Sequence, residues 1–310
     1  MLKKLLATAA VLAVAGGAGF WVLTMPRTVA AGDLPQHVAD LANGERMFNA
    51  GGCAGCHAAP GAKGEERLKL GGGLVLATPF GKFHVPNISP DEATGIGGWS
   101  TAAFVGAMKN GVDDEGEHLY PAFPYASYTH MRTEDLIDLD GYLRSLPKVA
   151  NAVPDHELGF PFNVRRGLGL WKLLYLDPAP VVALPADASD AVKRGQYLVE
   201  GPGHCGECHT SRSPAGGLDR SKWLAGAPNP EGKGVIPNIT GGEGGIADWS
   251  EDDIVNALST GFKPDYDSFG GSMVEVQENI SKLPPEDIAA IAAYLKAVPK
   301  LPAAAKKDES

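Results

Sequence analysis

The sequence has little that could cross-link it or bind nucleic acid. Its 310 residues contain only four cysteines, too few for the disulfide framework of a small secreted domain. Aromatic residues make up 7%, so a bound cofactor is one candidate to fill the core. The formal net charge is -10, and nucleic acid is not an expected partner because phosphate binding needs a basic surface. A protein partner with a basic docking patch would suit this charge.

The long apolar run of the chain lies at its N-terminus. Two lysines precede an apolar stretch from Leu5 to about Leu23, and this charge asymmetry is typical of an export signal. The stretch is long enough to cross a bilayer, which favours an uncleaved anchor over a signal peptide cut after Ala30 or Ala31. Residues 1–31 are therefore predicted to be a signal or membrane anchor. Both interpretations place the rest in the periplasm, and the anchor would hold it at the inner membrane.

The rest of the chain contains an internal repeat. Its landmarks are a Cys-x-x-Cys-His motif, a Pro-Asn-Ile segment, a Trp-Ser pair and a glycine, at matched spacing. They fall at Cys53–His57, Pro86–Ile88, Trp99–Ser100 and Gly111, and again at Cys205–His209, Pro237–Ile239, Trp249–Ser250 and Gly261. Matched spacing over this length predicts two copies of one domain.

Each copy has the pattern of a helical domain. Ser100 and Ser250 stand where helix N-caps belong, and a glycine follows each helix as a C-cap. A stronger amphipathic helix closes each copy and stops before Pro147 or Pro299. We predict an all-α fold. Its parts are a first domain over residues 38–148, a packed linker over 149–189, a second domain over 190–300 and a frayed tail over 301–310.

The two Cys-x-x-Cys-His motifs indicate covalently bound haem. Two thiols one helical turn apart can reach the two vinyl groups of one porphyrin, and the imidazole that follows can bind iron. A zinc site built from both pairs is the weaker alternative, since each pair has its own downstream landmarks. A thioredoxin-like redox pair is weaker still, because no βαβ pattern surrounds either motif. We therefore predict two haem c groups, with thioether bonds to Cys53, Cys56, Cys205 and Cys208 and iron bonds to His57 and His209.

A methionine is the predicted second iron ligand in each domain. Met273 lies in a glycine-rich loop before the last helix and is the one methionine of the second domain. The matching loop position of the first domain is close to Phe123, which cannot bind iron, so Met131 is the preferred ligand there. The alternatives in that domain are Met108, His84, His118 and His130.

Further stretches of the chain carry a family resemblance. They are Gly51–His57, Pro79–Gly81, Pro86–Asp91, Thr94–Trp99, Leu119–Tyr125, Phe160–Asn163, Arg194–Glu200, Gly203–Thr210 and Trp249–Ser250. In these residues the chain resembles the cytochrome c subunits of membrane-bound periplasmic dehydrogenases of the alcohol, gluconate, sorbitol and fructose type. The resemblance implies two tandem class I cytochrome c domains. It also implies electron transfer from a periplasmic dehydrogenase to a terminal oxidase or a soluble cytochrome, with no enzymatic activity of the chain itself.

The chain departs from that family in two ways. The subunits that it resembles carry three haems, and their third domain is associated with electron transfer to quinone, so quinone reduction is not expected here. Many of them also carry methionine where Phe123 stands. An open sixth position on the first iron would permit an alternative function, that of a dihaem redox enzyme such as a thiosulfate dehydrogenase or a peroxidase.

Overall fold

Helices dominate the computed structural model, which describes residues 1–229 and 234–304. They are α1 (Leu2–Leu23), α2 (Leu41–Ala50), α3 (Cys53–His57), α4 (Thr101–Asn110), α5 (Tyr125–Tyr128), α6 (Thr133–Ser145), α7 (Leu168–Tyr175), α8 (Asp190–Glu200), α9 (Gly206–His209), α10 (Glu251–Thr260), α11 (Met273–Ile280) and α12 (Pro285–Ala297). Short 3₁₀ helices occupy Ala31–Asp33, Gly64–Leu68, Arg165–Gly167 and Arg220–Lys222. The N-terminal apolar helix is confirmed: α1 is long enough to span a bilayer and none of its residues is buried.

The ends of α4 and α10 confirm the predicted caps. Ser100 Oγ accepts a backbone N–H of α4 at 3.1 Å. Ser250 and Asp253 form a reciprocal capping box at the start of α10. Gly111 and Gly261 end the two helices in the left-handed region, with φ values of 59° and 83°, where a side chain would be strained. The same capping residues therefore begin and end the equivalent helices α4 and α10.

Short strands between the helices correct the all-α prediction. An antiparallel sheet joins β1 (Val75–Thr78), β2 (Gly81–His84) and β3 (Glu157–Leu158). A second antiparallel pair joins β4 (Ala227–Pro228) and β5 (Val235–Ile236). Strands of two to four residues are too short to show an alternating hydrophobic pattern, so no pattern in the sequence indicates them.

Two buried clusters form the core, one in residues 38–148 (the first half) and one in residues 190–300 (the second half), and Ala50 of the first half also belongs to the second cluster. In each half the opening helix crosses the closing helix, α2 on α6 and α8 on α12, through a glycine. A methyl group on Gly44 would lie 2.1 Å from the Asp138 carbonyl oxygen, and one on Gly195 would lie 1.9 Å from the Ala290 oxygen. The predicted apolar residues of the closing helices are buried: Leu136, Leu139, Leu143, Ile288, Ile291 and Leu295.

The segment between the halves is fastened to both. β3 pairs with β2 of the first half. On the other side, Trp171 Nε1 donates to the Ala215 carbonyl at 2.9 Å, and the hydroxyls of Tyr175 and Ser213 lie 2.9 Å apart. The buried carboxylate of Glu200 accepts the backbone N–H groups of residues 181 and 182. These contacts hold the segment against the globular core.

A chain of hydrogen bonds connects α7 with the exit of α1. Lys172 Nζ donates to the Gly111 carbonyl at 2.6 Å and to His118 Nδ1 at 2.9 Å. His118 Nε2 then donates to the carbonyl of Thr24, which is buried, at 2.8 Å. Burial lowers the pKa of Lys172 to about 7, and the nearby charge of Asp113 opposes this shift. A basic group is thus enclosed where the apolar helix joins the first half.

We expect the Lys172→Met variant to change how stability depends on pH. The native pKa of Lys172 lies near 7 and its ordinary value near 10.5, so between these pH values the unfolded chain binds the extra proton. In the protein with Lys172, the free energy of unfolding should therefore rise with pH across this window, by at most about 1.4 kcal/mol per pH unit. Below pH 7 this group should not affect the slope. The Lys172→Met variant should lack this contribution to the slope. The measurement is urea unfolding of both proteins at several pH values. A Lys193→Met variant, which removes an exposed lysine, controls for net charge, and an unchanged slope in Lys172→Met would contradict the prediction.

Residues 301–304 correct the prediction of a frayed tail. The Leu301 carbonyl accepts Asn238 Nδ2 at 2.8 Å, and its N–H donates to Thr240 Oγ1 at 3.2 Å. The first half has the equivalent bond, from Asn87 Nδ2 to the Val149 carbonyl at 2.7 Å. The chain after each closing helix is therefore held by the asparagine of a Pro-Asn-Ile segment. Residues 305–310 of the predicted tail lie outside the described residues.

Candidate haem attachment sites

The first Cys-x-x-Cys-His motif forms the short helix α3 directly after α2. Gly52, with a φ of 57°, makes the sharp turn between the two helices. His57 Nδ1 lies 2.8 Å from the Pro86 carbonyl oxygen. A carbonyl can only accept, so Nδ1 carries the proton and Nε2 keeps the lone pair that a metal needs. Burial lowers the pKa of His57, which favours this neutral form.

The second motif repeats the arrangement in α9. His209 Nδ1 lies 2.8 Å from the Pro237 carbonyl oxygen, and burial lowers the pKa of His209 as well. In the sequence alone, the Pro-Asn-Ile segments are recognisable only as repeat landmarks. Their proline carbonyls orient the imidazoles, and the matched spacing from His to Pro-Asn-Ile was the signal that could have revealed this role.

A glycine fixes the backbone of each histidine. Gly72 N–H donates to the His57 carbonyl at 2.7 Å, and Gly226 N–H donates to the His209 carbonyl at 2.7 Å. Both glycines have positive φ, and a Cβ on either would lie within 2.7 Å of backbone atoms. The histidine is therefore held at its ring and at its main chain in both halves.

Cys53 and Cys205 lack the features of a redox-active thiolate. Burial raises the pKa of each to about 12, whereas a redox-active cysteine needs a lowered value. Among residues 1–229 and 234–304, no three His, Cys, Asp or Glu side chains are grouped as a metal site would need. The four-thiolate zinc site and the redox pair therefore do not fit. Two thiols one turn apart beside an oriented imidazole lone pair fit the covalent attachment of haem c.

The loop that is predicted to carry the second iron ligand has the same backbone geometry in both halves. Leu119 N–H donates to the Gly111 carbonyl at 2.7 Å, and Phe269 N–H donates to the Gly261 carbonyl at 3.0 Å. Four residues after each donor come Phe123 and Met273. Phe123 packs on the first core, and Met273 begins α11, partly buried. Phe123 is thus the structural counterpart of Met273, as the sequence had indicated.

Met131 lies eight residues beyond Phe123 and is 2% exposed in the first core. It belongs to the same buried cluster as Ala54, which lies in α3, and Ala58, which directly follows His57. Its carbonyl accepts Lys109 Nζ at 2.6 Å. A methyl group on Gly201 would lie 3.6 Å from Met131 Cγ, so the side chain also borders the second half.

Among the histidine alternatives in the first half, His118 and His130 have both ring nitrogens occupied, and His84 has its Nε2 occupied. His118 bonds to Lys172 and to Thr24, as described above. His130 Nδ1 faces the carbonyls of residues 127 and 200, and its Nε2 faces that of Ala179 at 3.0 Å. His84 Nε2 lies 3.0 Å from Glu157 Oε1. Met108 is buried within α4 and is part of the first core. Met131 therefore stays the preferred ligand.

The residues that precede the two attachment motifs are in contact. His204, directly before Cys205, donates through Nε2 to the carbonyl of Gly51, two residues before Cys53, at 3.1 Å. The Tyr128 ring packs edge-on against the His204 ring, with 5.6 Å between centroids. The sequence could not reveal this contact, because it joins residues 153 positions apart.

Each half also packs on the attachment helix of the other. From the second half, Glu275 of α11 lies against Gly55 of α3, and Arg67 Nη1 lies 3.6 Å from Glu275 Oε1. From the first half, Ser127 Oγ of α5 donates to Glu207 Oε1 of α9 at 2.9 Å. Each attachment helix is therefore in contact with the other half of the chain.

The comparisons with known proteins agree with this geometry. Residues 41–147 match the family model described as Cytochrome c. The chain is 51% identical to "Diheme cytochrome c-type" of Cereibacter sphaeroides, over 97% of this chain and 100% of that protein. It is 35% identical to "Fructose dehydrogenase cytochrome subunit" of Gluconobacter japonicus, over 85% of this chain and 53% of that protein. It is also 35% identical to "Gluconate 2-dehydrogenase cytochrome c subunit" of Pantoea cypripedii, over 82% of this chain and 58% of that protein.

The resemblance seen in the motifs is thereby confirmed, although the chain spans only about half the length of these dehydrogenase subunits. The relative matched over its whole length is a dihaem protein, in agreement with the two oriented histidines and the two pairs of thiols. The chain therefore belongs to the dihaem c-type cytochromes and carries two covalently bound haem c groups.

Proposed function

We propose that this cytochrome takes electrons from a periplasmic dehydrogenase and passes them to a respiratory acceptor, a terminal oxidase or a soluble cytochrome. The observation that carries the proposal is the 3.1 Å hydrogen bond between His204 and Gly51, which sets the two attachment sites side by side. A dehydrogenase releases electrons in pairs, and each haem iron takes one at a time, so adjacent sites suit the task. The names of the relatives support the same class of donor.

The residues of the chain have distinct tasks in this proposal. His57 and His209 each present Nε2 to an iron, and the prolines orient them. The four cysteines hold the porphyrins by thioether bonds. Met131 and Met273 would supply the second iron ligands, and a neutral thioether would raise the reduction potential of the iron. Electron transfer by these residues needs no acid–base pair.

The domain layout and location are part of the same proposal. The halves are two tandem class I cytochrome c domains, and each has its own attachment helix, proline carbonyl and crossing glycine. The globular part lies in the periplasm and α1 holds it at the inner membrane. Contacts of α1 favour retention of the helix: Arg166 donates to the Trp21 carbonyl at 2.7 Å and to Thr24 Oγ1 at 2.9 Å. Cleavage after residue 30 or 31 would remove these partners.

Reduction by isolated dehydrogenases tests the proposed function. The oxidised holoprotein would be mixed with catalytic subunits of the fructose, gluconate and alcohol types, freed of their own cytochromes, and with their substrates. We expect at least one to reduce both haems, seen in the visible spectrum, and a soluble cytochrome to reoxidise them. In parallel assays, thiosulfate or hydrogen peroxide would be added in place of the dehydrogenase and its substrate. Turnover of either compound, with no reduction by the three subunits, would favour the dihaem enzyme instead.

Replacing the two proposed methionine ligands tests the ligation. Ferric haem with a thioether ligand has a weak long-wavelength charge-transfer band, which is lost with the sulfur. We expect Met273→Leu and Met131→Leu each to remove about half of this band, because each affects one haem of two. Met108→Leu, a buried methionine of the first core, is the matched control and should leave the band intact. A full band in Met131→Leu would show that the first iron has another ligand.

A further inference from the structure

The helix α7 exposes a face that consists only of leucine. Gly169 and Lys172 point inward and are buried, whereas Leu170, Leu173 and Leu174 point outward and are 43%, 52% and 75% exposed. These three positions follow the i, i+3, i+4 pattern of one helix face. The outer face of a surface helix is ordinarily polar. An exposed face of leucines therefore indicates contact with an apolar partner or a membrane.

This face begins where α1 leaves the globular part. Gly169 packs directly on Thr24, because a methyl group there would lie 2.5 Å from Thr24 Cα. The Arg166 guanidinium lies 4.1 Å from the centre of the Trp21 ring and also bonds to the Trp21 carbonyl. The end of the apolar helix and the start of α7 are therefore in direct contact.

The chain before α7 exposes more apolar surface. Phe160 is 84% exposed, and Phe162 and Val164 are each about half exposed. The Tyr120 hydroxyl fixes this segment by donating to the Phe162 carbonyl at 3.0 Å. Six large apolar side chains thus stand out from one fifteen-residue stretch, which we call the linker surface: Phe160, Phe162, Val164, Leu170, Leu173 and Leu174.

We propose that the linker surface inserts into the boundary between headgroups and acyl chains of the lipid bilayer that α1 crosses. The proposal rests on the proposed anchoring by α1. A bilayer is the occupant because the surface is continuous with the end of a helix that is apolar over a full membrane thickness. Trp21, whose ring suits the interface between lipid and water, lies at the junction.

A second contact would change how the protein sits on the membrane. A helix anchor alone leaves a globular part free to tilt about its exit point. The linker surface adds a contact beside that exit, and the Lys172–His118–Thr24 bonds join the two rigidly. The globular part would then keep one orientation against the bilayer.

Photolabelling of the full-length holoprotein tests this proposal. The protein would be placed in vesicles of phosphatidylethanolamine and phosphatidylglycerol that contain a lipid with a diazirine near the headgroup end of its acyl chain. After illumination, mass spectrometry locates the adducts. We expect labelling of residues 160–174 to exceed that of residues 262–276 by about tenfold or more. The second segment is a fair control, because it also exposes apolar groups, among them Phe262, Tyr266 and Val274.

The labelling of α1 separates the two hypotheses. If α1 is labelled but residues 160–174 are labelled only at the control level, the proposed insertion of the linker surface is wrong and the membrane anchor is supported. The leucine face would then be available to a protein partner. Unlabelled α1 would overturn both. A variant with Leu170, Leu173 and Leu174 replaced by serine provides a further check. Its linker labelling should fall to the control level while α1 stays labelled, and undiminished labelling would contradict the proposal.

Discussion

Replacing Gly195 by alanine should lower the free energy of unfolding of the holoprotein by about 3 kcal/mol or more. The added methyl group would lie 1.9 Å from the Ala290 carbonyl oxygen and 2.7 Å from Tyr294 Cβ, and neither a backbone oxygen nor a Cβ can swing aside. To make room, α8 and α12 must separate along the crossing that closes the second core. The equivalent change Gly44→Ala should act in the same way on α2 and α6. Urea unfolding followed by far-UV circular dichroism measures both.

Gly106→Ala is the matched control for this test. Gly106 is also buried within a helix, α4, but a methyl group there would meet its nearest neighbour at 3.7 Å, an ordinary contact. Alanine is a better helix former than glycine, so this variant should be neutral or about 1 kcal/mol more stable. Equal losses in Gly195→Ala and Gly106→Ala would show that the close helix crossing is not the cause.

Removing either proximal histidine should abolish the normal ligation of one haem and spare the other. His209→Ala and His57→Ala each delete the imidazole that Pro237 or Pro86 orients. About half of the low-spin haem signal in electron paramagnetic resonance and optical spectra should therefore disappear in each variant. The mass of the chain should still show two haems, because the thioether bonds to the cysteines do not involve the histidine.

His156→Ala controls for the loss of a histidine as such. His156 is partly buried in the linker and accepts the His84 N–H at 3.2 Å, and it belongs to neither motif. Its removal should leave both haems low-spin. Two low-spin haems in His209→Ala would mean that another residue binds the second iron, and the assignment of His209 would be wrong.

Local signals in the sequence predicted the helices well. Serine caps, glycine C-caps and proline stops gave the ends of α4, α10, α6 and α12 to within a residue or two, because each signal acts over a single helical turn. The glycines at the helix crossings and the prolines that orient the histidines recur in both copies of the repeat. The residues that they contact, however, lie 28 to 95 positions away in the sequence. Nothing local in the sequence identifies such a partner.

The junction of the halves was beyond sequence reasoning for the same reason. His204 and Gly51 stand beside cysteines whose role was evident, yet neither carries a pattern of its own. The repeat also suggested two equivalent sites, whereas Phe123 replaces the methionine of the first loop. The loop has the same backbone geometry in both halves, but its side chain differs. The two irons therefore have different surroundings.

The reciprocal packing has a consequence for the kinetics of electron exchange. Two carriers on a free tether meet by diffusion, at an effective concentration that the tether length sets. Here α11 lies on α3, α5 lies on α9, and the linker is fastened to both halves. The two sites therefore keep one separation. Exchange between them is a unimolecular step, and its rate should not depend on solvent viscosity or protein concentration.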